Sequence, residues 1–205
     1  MLLAIDTSAG TSVAVVDGGG VLAEVGSAET MRHAEVVGDA IAEALAVSGI
    51  PIAAFSGVAA GMGPGPFTGL RVGIAAARAF AFGAGKPVLP LASHDALAFE
   101  RYRAGHAGPL LVVTDARRRE VYWSLYGGVD EFGIPLRSGG PGLSRPDELP
   151  HRDVPRFDAA ACSAGSLGVL AGLTHLHQRA FAKDEALYLR SPDVTPSNGP
   201  KRVTG

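Results

Sequence analysis

The chain has 205 residues, of which 47% are hydrophobic and 19% charged, enough apolar content to bury a core; that excludes a disordered protein and suits one large or two small lobes. A formal net charge of −2 excludes bulk electrostatic attraction to nucleic acid as the main source of binding. The single cysteine, Cys162, excludes an internal disulfide and agrees with a reducing compartment.

The opening MLLAIDTS has no basic flank and meets an acid at Asp6, which argues against a secretory leader. Its apolar run at 2–5 suits a buried central strand. TSVAVVD at 11–17 and VLAEVGSAE at 21–29, separated by GGG, complete an antiparallel meander of three short strands. From His33 the period changes. Val37, Ile41 and Leu45 recur every four residues beside Val36, Ala40 and Ala44, while Glu35, Asp39 and Glu43 form another stripe; this predicts an amphipathic helix ending at SGIP. FSGVAAGM at 55–62 reads as a fourth strand.

GPGPFTGLRVG at 63–73 has the glycines of a phosphate-cradling loop. Yet Pro64 and Pro66 have no N–H to offer an anion, and the loop ends Thr68-Gly69-Leu70 where a P-loop needs Gly-Lys-Ser/Thr. The reading is structural: prolines stiffen the approach and Thr68 caps a helix that ends near GAGKP. Between Thr68 and Phe82 the only charges are Arg71 and Arg78, on nearly one line at about 100° per residue. Gly69, Gly73, Ala76 and Phe80 lie opposite them, with Leu70, Val72, Ile74, Ala75, Ala77 and Ala79 on the flanks. A helix apolar over most of its circumference is either sandwiched within its own chain or presents one flank to another protein.

KPVLPL at 86–91 returns to extended structure, completing the order βββαβα. The order then restarts: PLLVVTDA and EVYWSLYGG pair around an arginine turn, AACSAG reads as a short strand and SLGVLAGLTHLHQRAF as a helix. No repeat is visible at the level of sequence. Residues 1–100 carry 4 Lys and Arg against 9 Asp and Glu, and residues 101–205 carry 14 against 11, so the second half is the side for an anionic partner. The most apolar stretch, VGIAAARAFAF, is interrupted by Arg78 and falls short of the roughly 20 residues that span a bilayer; a cytoplasmic protein without a membrane partner is expected.

Taken in order, LLAIDTSAGTSVAVVDGG, HAEVVGDAIAEAL, GPGPFTGLRVGIAAARAFAFG, LASHDALA, TDARRREVYW and ALYLRSPD resemble the bacterial TsaB (YeaZ) family of tRNA threonylcarbamoyladenosine biosynthesis. The resemblance implies a two-lobed α/β fold of the actin, sugar-kinase and Hsp70 type, the ASKHA fold, with a βββαβα core and a reduced second lobe. It implies an N-terminal lobe over 1–95, a smaller α/β lobe over 96–190 and a flexible tail over 191–205. Members are non-catalytic partners of a paralogue, TsaD, which transfers a threonylcarbamoyl group to an adenosine beside the tRNA anticodon; an ATPase, TsaE, joins the system. ATP is then used by the wider system, with no cofactor on this chain and tRNA touched indirectly or weakly. The first-lobe helices dock on TsaD, and the candidates are Val37, Ile41, Leu45, Gly69, Leu70, Gly73, Ile74, Ala77 and Phe80. Gly73→Arg or Ala77→Glu is expected to spare the fold and abolish docking, and a homodimer is expected when the chain is alone. Two departures stand out: Pro66 occupies a position where serine is usual, and CSAGS is a degraded form of the adenosine segment of nucleotide-binding relatives.

For chemistry of the chain's own, a metal site of the TsaD kind needs two histidines four apart on the first helix, but His33 is followed by Val37. His94 and His106 lie far off, and His175 and His177 are two apart on a predicted helix, so no metal is expected. Asp6, Thr7 and Ser8 form either a vestigial nucleotide-phosphate turn or an ordinary polar turn, the latter preferred. Arg117, Arg118 and Arg119 are the only basic run, read as a tRNA contact or as a solvated turn balanced by Asp115 and Glu120. The alternatives to a docking partner are a small ASKHA-type ATPase or sugar kinase using Asp6, and a stand-alone RNA-binding module.

Overall fold

A computed structural model describes residues 1–18, 20–27 and 33–190; the predicted tail, 191–205, lies outside them. The meander forms as β1 (Leu2–Asp6), β2 (Thr11–Asp17) and β3 (Gly20–Ser27), all antiparallel. After α1 (His33–Ser48), β4 (Gly57–Gly61) joins β1 in parallel; after α2 (Phe67–Ala84), β5 (Val88–Leu91) joins β4. The sheet order is β3-β2-β1-β4-β5.

The second half follows the same plan. After α3 (Ser93–Arg103), β6 (Leu110–Asp115), β7 (Val121–Val129) and β8 (Pro135–Ser144) form an antiparallel meander, and β9 (Arg156–Ala159) joins β6 in parallel, ahead of α4 (Ala164–Leu176). The order β8-β7-β6-β9 matches β3-β2-β1-β4. Among the described residues it has no fifth strand, and a short 3-10 turn at Pro146–Glu148 stands where the first unit has α1. This is a two-sheet α/β architecture whose second βββ unit is reduced, the arrangement that the resemblance implies.

β1 is apolar on both faces because both are covered. Leu3, Ile5, Val13 and Val15 face α1 and α2, whereas Ala4, Ala14 and Val16 face α3 and α4. The alanines let α4 approach closely: a Cβ on Gly168 would lie 3.0 Å from the Ala4 Cβ and 2.8 Å from the Val16 side chain. α3 and α4 thus fill the space between the two sheets. Because α4 packs on the first sheet, the division at 95/96 is not a boundary between separately packed halves.

Several expectations are corrected. Thr68 is not the cap: α2 begins at Phe67, and Pro66 (φ −59°, ψ 137°) precedes it, its carbonyl accepting from the Leu70 N–H at 3.1 Å. The proline ring already holds the φ that a helix start needs, so the first turn forms one residue sooner. The other end holds as read, Gly85 closing α2 in the left-handed conformation at φ 64°. α3 and β8 were not foreseen. AACSAG is a bend that leads through the α4 N-cap, Ser163, into the first two residues of α4, the Ser163 Oγ accepting from the Ser166 N–H; the strand, β9, precedes it, and α4 ends at Leu176 rather than near Phe181.

Candidate functional site

The turn after β1 is closed. Asp6, Thr7 and Ser8 are buried. Ser8 donates to Asp6 Oδ1 from its N–H (2.8 Å) and its hydroxyl (2.6 Å), and Ser93 Oγ donates to Asp6 Oδ2 at 2.5 Å. Thr7 Oγ1 donates to the Gly69 carbonyl at 2.7 Å. Glycine is needed around this network, since a Cβ on Gly61 would stand 1.9 Å from Asp6 Oδ2 and one on Gly73 would stand 2.1 Å from Thr7 Oγ1. The geometry is that of a polar Asx turn fastening β1 to α2 and α3. The Ser93 N–H also donates to the Gly63 carbonyl at 2.7 Å, so the glycine–proline loop is tied into the same knot.

Beside it lies a cavity of about 340 Å³ lined by Thr11, Ser12, Glu24, Glu100, Cys162 and Ser163 among others. The degraded segment CSAGS forms one wall and the start of α4. That helix N-terminus is occupied from within: Glu24 Oε1 accepts from Ser12 Oγ (2.8 Å), Ser163 Oγ (2.9 Å) and the Gly165 N–H (3.2 Å). Burial, with the charge of Glu24, raises the Glu100 pKa, so the cavity disfavours further negative charge. Burial pushes the Cys162 thiol well up, leaving it inert. A second cavity, about 330 Å³, opens at the other end of the first sheet between Leu2, Val16, Leu89 and the α4 residues Val169 and Leu173; none of the predicted site residues lines it.

The predicted docking residues are corrected. Val37, Leu70, Ile74 and Ala77 are buried against the chain's own first sheet, as are Gly69 and Gly73. Ile41, Leu45 and Phe80 are half-buried on that same core, Phe80 edge-on to Phe55 with ring centroids 6.3 Å apart. Substitution at Gly73 or Ala77 would therefore strike the fold itself. The face left to solvent contains Arg71, Ala75, Arg78, Ala79 and Phe82, the last 91% exposed. On the neighbouring α1, Gly38, Ala42, Ala46 and Val47 are exposed as well. A signal for this face was present: eleven residues at about 100° each put Phe82 within about 20° of Arg71, on the side that the arginines mark as solvent.

Among the described residues no three His, Cys, Asp or Glu side chains cluster as ligands for an ion. The His33 side chain is outside what is described. His94 lies buried between Ser124 Oγ and Thr114 Oγ1, each 2.9 Å away, with its pKa held to about 3 by burial and by the Arg137 charge. It joins α3 to β6 and β7 as a neutral ring. His175 is exposed, and His177 stacks on Phe132 at 3.7 Å.

Arg117, Arg118 and Arg119 stand exposed at the tip of the β6–β7 hairpin, with φ of 64°, 54° and 62°. Left-handed backbone costs a non-glycine residue about 1 kcal/mol or more. Asp115 balances part of this charge, through the Arg117 N–H (2.9 Å) and guanidinium (3.7 Å), but Glu120 pairs with Arg190 instead. No helix of the described residues is long and apolar enough to cross a membrane.

Residues 8–139 match the family described as TsaD, tRNA N6-adenosine threonylcarbamoyltransferase. An uncharacterized protein of Mycobacterium tuberculosis is 35% identical over 86% of this chain and 83% of its own length. The tRNA threonylcarbamoyladenosine biosynthesis protein TsaB of Escherichia coli is 35% identical over 65% of this chain and 57% of its own. The solved structure of YeaZ from Pseudomonas aeruginosa superposes with a TM-score of 0.77 at 27% identity, covering 92% of this chain and 99% of that one.

Proposed function

The chain belongs to the TsaB (YeaZ) family, and from that premise we propose that it is a non-catalytic partner of a TsaD-type transferase, serving the formation of threonylcarbamoyladenosine in tRNA. The observation that carries the proposal is the outer face of α2, where Phe82 is 91% exposed beside the exposed Ala75 and Ala79, while the segment after α4 meets this face at Arg78, which pairs with Asp184. Burying one such ring stabilises an interface by about 1.5–3 kcal/mol, and small residues beside it let a partner helix approach closely. The exposed glycine and alanines of α1 extend the same layer.

Two features favour a partner over a small ATPase or sugar kinase using Asp6. The Asp6 carboxylate is spent on Ser8 and Ser93 behind a closed turn. A phosphate arriving at the start of α4 would meet the Glu24 carboxylate where it needs donors or a cation. On this reading the chain binds no cofactor, a TsaE-type ATPase joins the assembly to supply ATP-driven steps, and two copies of the chain pair through the α1–α2 face when the transferase is absent.

The test is reconstitution with purified components, measuring modified adenosine in tRNA. The transferase is expected to need this chain for full turnover, and this chain alone to make no product. Product formed by the chain alone, or a transferase indifferent to it, contradicts the proposal.

A further inference from the structure

We propose that the tip of the β6–β7 hairpin, together with the Phe67–Tyr188 ring pair beside it, forms a surface for the ribose-phosphate backbone of tRNA; this rests on the reading that the chain works in tRNA modification. A chain reversal that needs left-handed backbone is ordinarily filled by glycine or asparagine. Here three successive left-handed positions hold Arg117, Arg118 and Arg119. The turn geometry does not ask for arginine, so the side chains account for the choice. All three side chains are exposed, and Arg190 closes on the base of the hairpin, pairing with Glu120 and donating to the Ala116 carbonyl at 3.2 Å.

The hairpin does not stand alone. Tyr122 OH donates to the Gly65 carbonyl at 3.3 Å, bringing the hairpin against the loop that starts α2. The first residue of α2, Phe67, meets the ring of Tyr188 with centroids 4.8 Å apart, and the Arg71 guanidinium lies 4.9 Å from the Phe67 centroid. Tyr188, 41% exposed, therefore sits between Arg71 on one side and, through the short segment to Arg190, the arginine tip on the other. Cations that meet phosphates, flanking an exposed aromatic on which a base or sugar can lie, are what single-stranded RNA recognition uses. The surface meets the docking face at Arg71, but its centre at Phe67 lies 15 helical steps, about 22 Å, from Phe82.

The experiment is binding of unmodified tRNA to the full chain, alone and with its transferase partner, by fluorescence anisotropy over a series of salt concentrations. Replacing all three arginines by glutamate is expected to weaken binding at least tenfold at low salt and to lower the slope of log K against log salt by about 2. Replacing them by glycine, which keeps the left-handed turn, gives a smaller loss of the same sign, and Tyr188→Ala weakens binding about threefold or more. Wild-type affinity and slope in the folded variants overturn the proposal, as does wild-type chain without salt-dependent tRNA binding. So does equal displacement of tRNA by poly-glutamate, which would make an acidic protein the occupant. Partner binding, measured in parallel, is expected to be unchanged in these variants. Variants that keep wild-type tRNA binding while partner binding is intact sink this surface alone, whereas a wild-type chain that does not bind the partner sinks the docking reading.

Discussion

His94 shows how a residue with the chemistry of a ligand becomes a structural one. Its two ring nitrogens are satisfied by Ser124 and Thr114, and burial holds its pKa to about 3, against 6.5 for a free imidazole. Unfolding frees the ring to take a proton, so between those values the unfolded chain binds more protons than the folded one and stability rises with pH. The contribution is fully present above pH 6.5 and is lost as pH falls toward 3. Asp95 and Glu100, whose pKa values burial raises, act with the opposite sign, so the comparison must be between variants. His94→Gln is expected to flatten the dependence by about 1.4 kcal/mol per pH unit between pH 4 and 6, measured by urea unfolding; equal slopes in the two proteins would contradict it. Asp6 makes the same point with other chemistry. A carboxylate at the end of a central strand looks available in sequence, but Gly61 and Ser93, which close it in, are 55 and 87 residues away.

At the scale of elements, α2 separates the two demands on it by face. Ala77 is fully buried against the first sheet and Ala79 is exposed. Ala77→Glu is expected to destabilise the isolated chain by about 3 kcal/mol or more through an uncompensated buried carboxylate, and Ala79→Arg to change stability by no more than about 0.5 kcal/mol. Thermal and urea melts of the two variants check this, and a tolerated Ala77→Glu would mean that the inner face is not where it has been placed. The existence of α2 was legible from its period and from Gly85; its orientation was read inside out, because glycines and alanines that look like a partner's groove serve close approach to Thr7 and the sheet. α3 was illegible for a related reason. It is buried around most of its circumference, between two sheets, with Ser93 and His94 inward, so it has no apolar stripe to find. β8 was hidden by its glycines and prolines, one of which, Gly142, exists to admit Trp123, whose ring a Cβ would approach to 2.4 Å. The first meander was plain because β1 and β2 are continuous apolar runs between glycine turns.

For the whole molecule, one topological plan is used twice, and the second copy is cut down to a four-stranded sheet whose closing helix, α4, packs on the first. No repeat in sequence announces this, because matching positions serve different neighbours: the first sheet is covered on both faces, and the outer face of the second carries only a small cluster around Leu111, Val113 and Leu149. α3 and α4 lie between the sheets, Glu24 takes up the N-terminus of α4, and α1 and α2 present an outer surface on which Val47 and Phe82 are exposed. The central claim is that this surface is completed by another chain. Sedimentation velocity on the wild type and on Phe82→Glu, each alone and mixed with a TsaD-type transferase, tests it directly. The account predicts that the wild type self-associates with rising concentration and shifts to a heterodimer when the transferase is added, while folded Phe82→Glu stays monomeric in both. Wild-type assembly by Phe82→Glu, or a wild type that remains monomeric in the presence of the transferase, would contradict it.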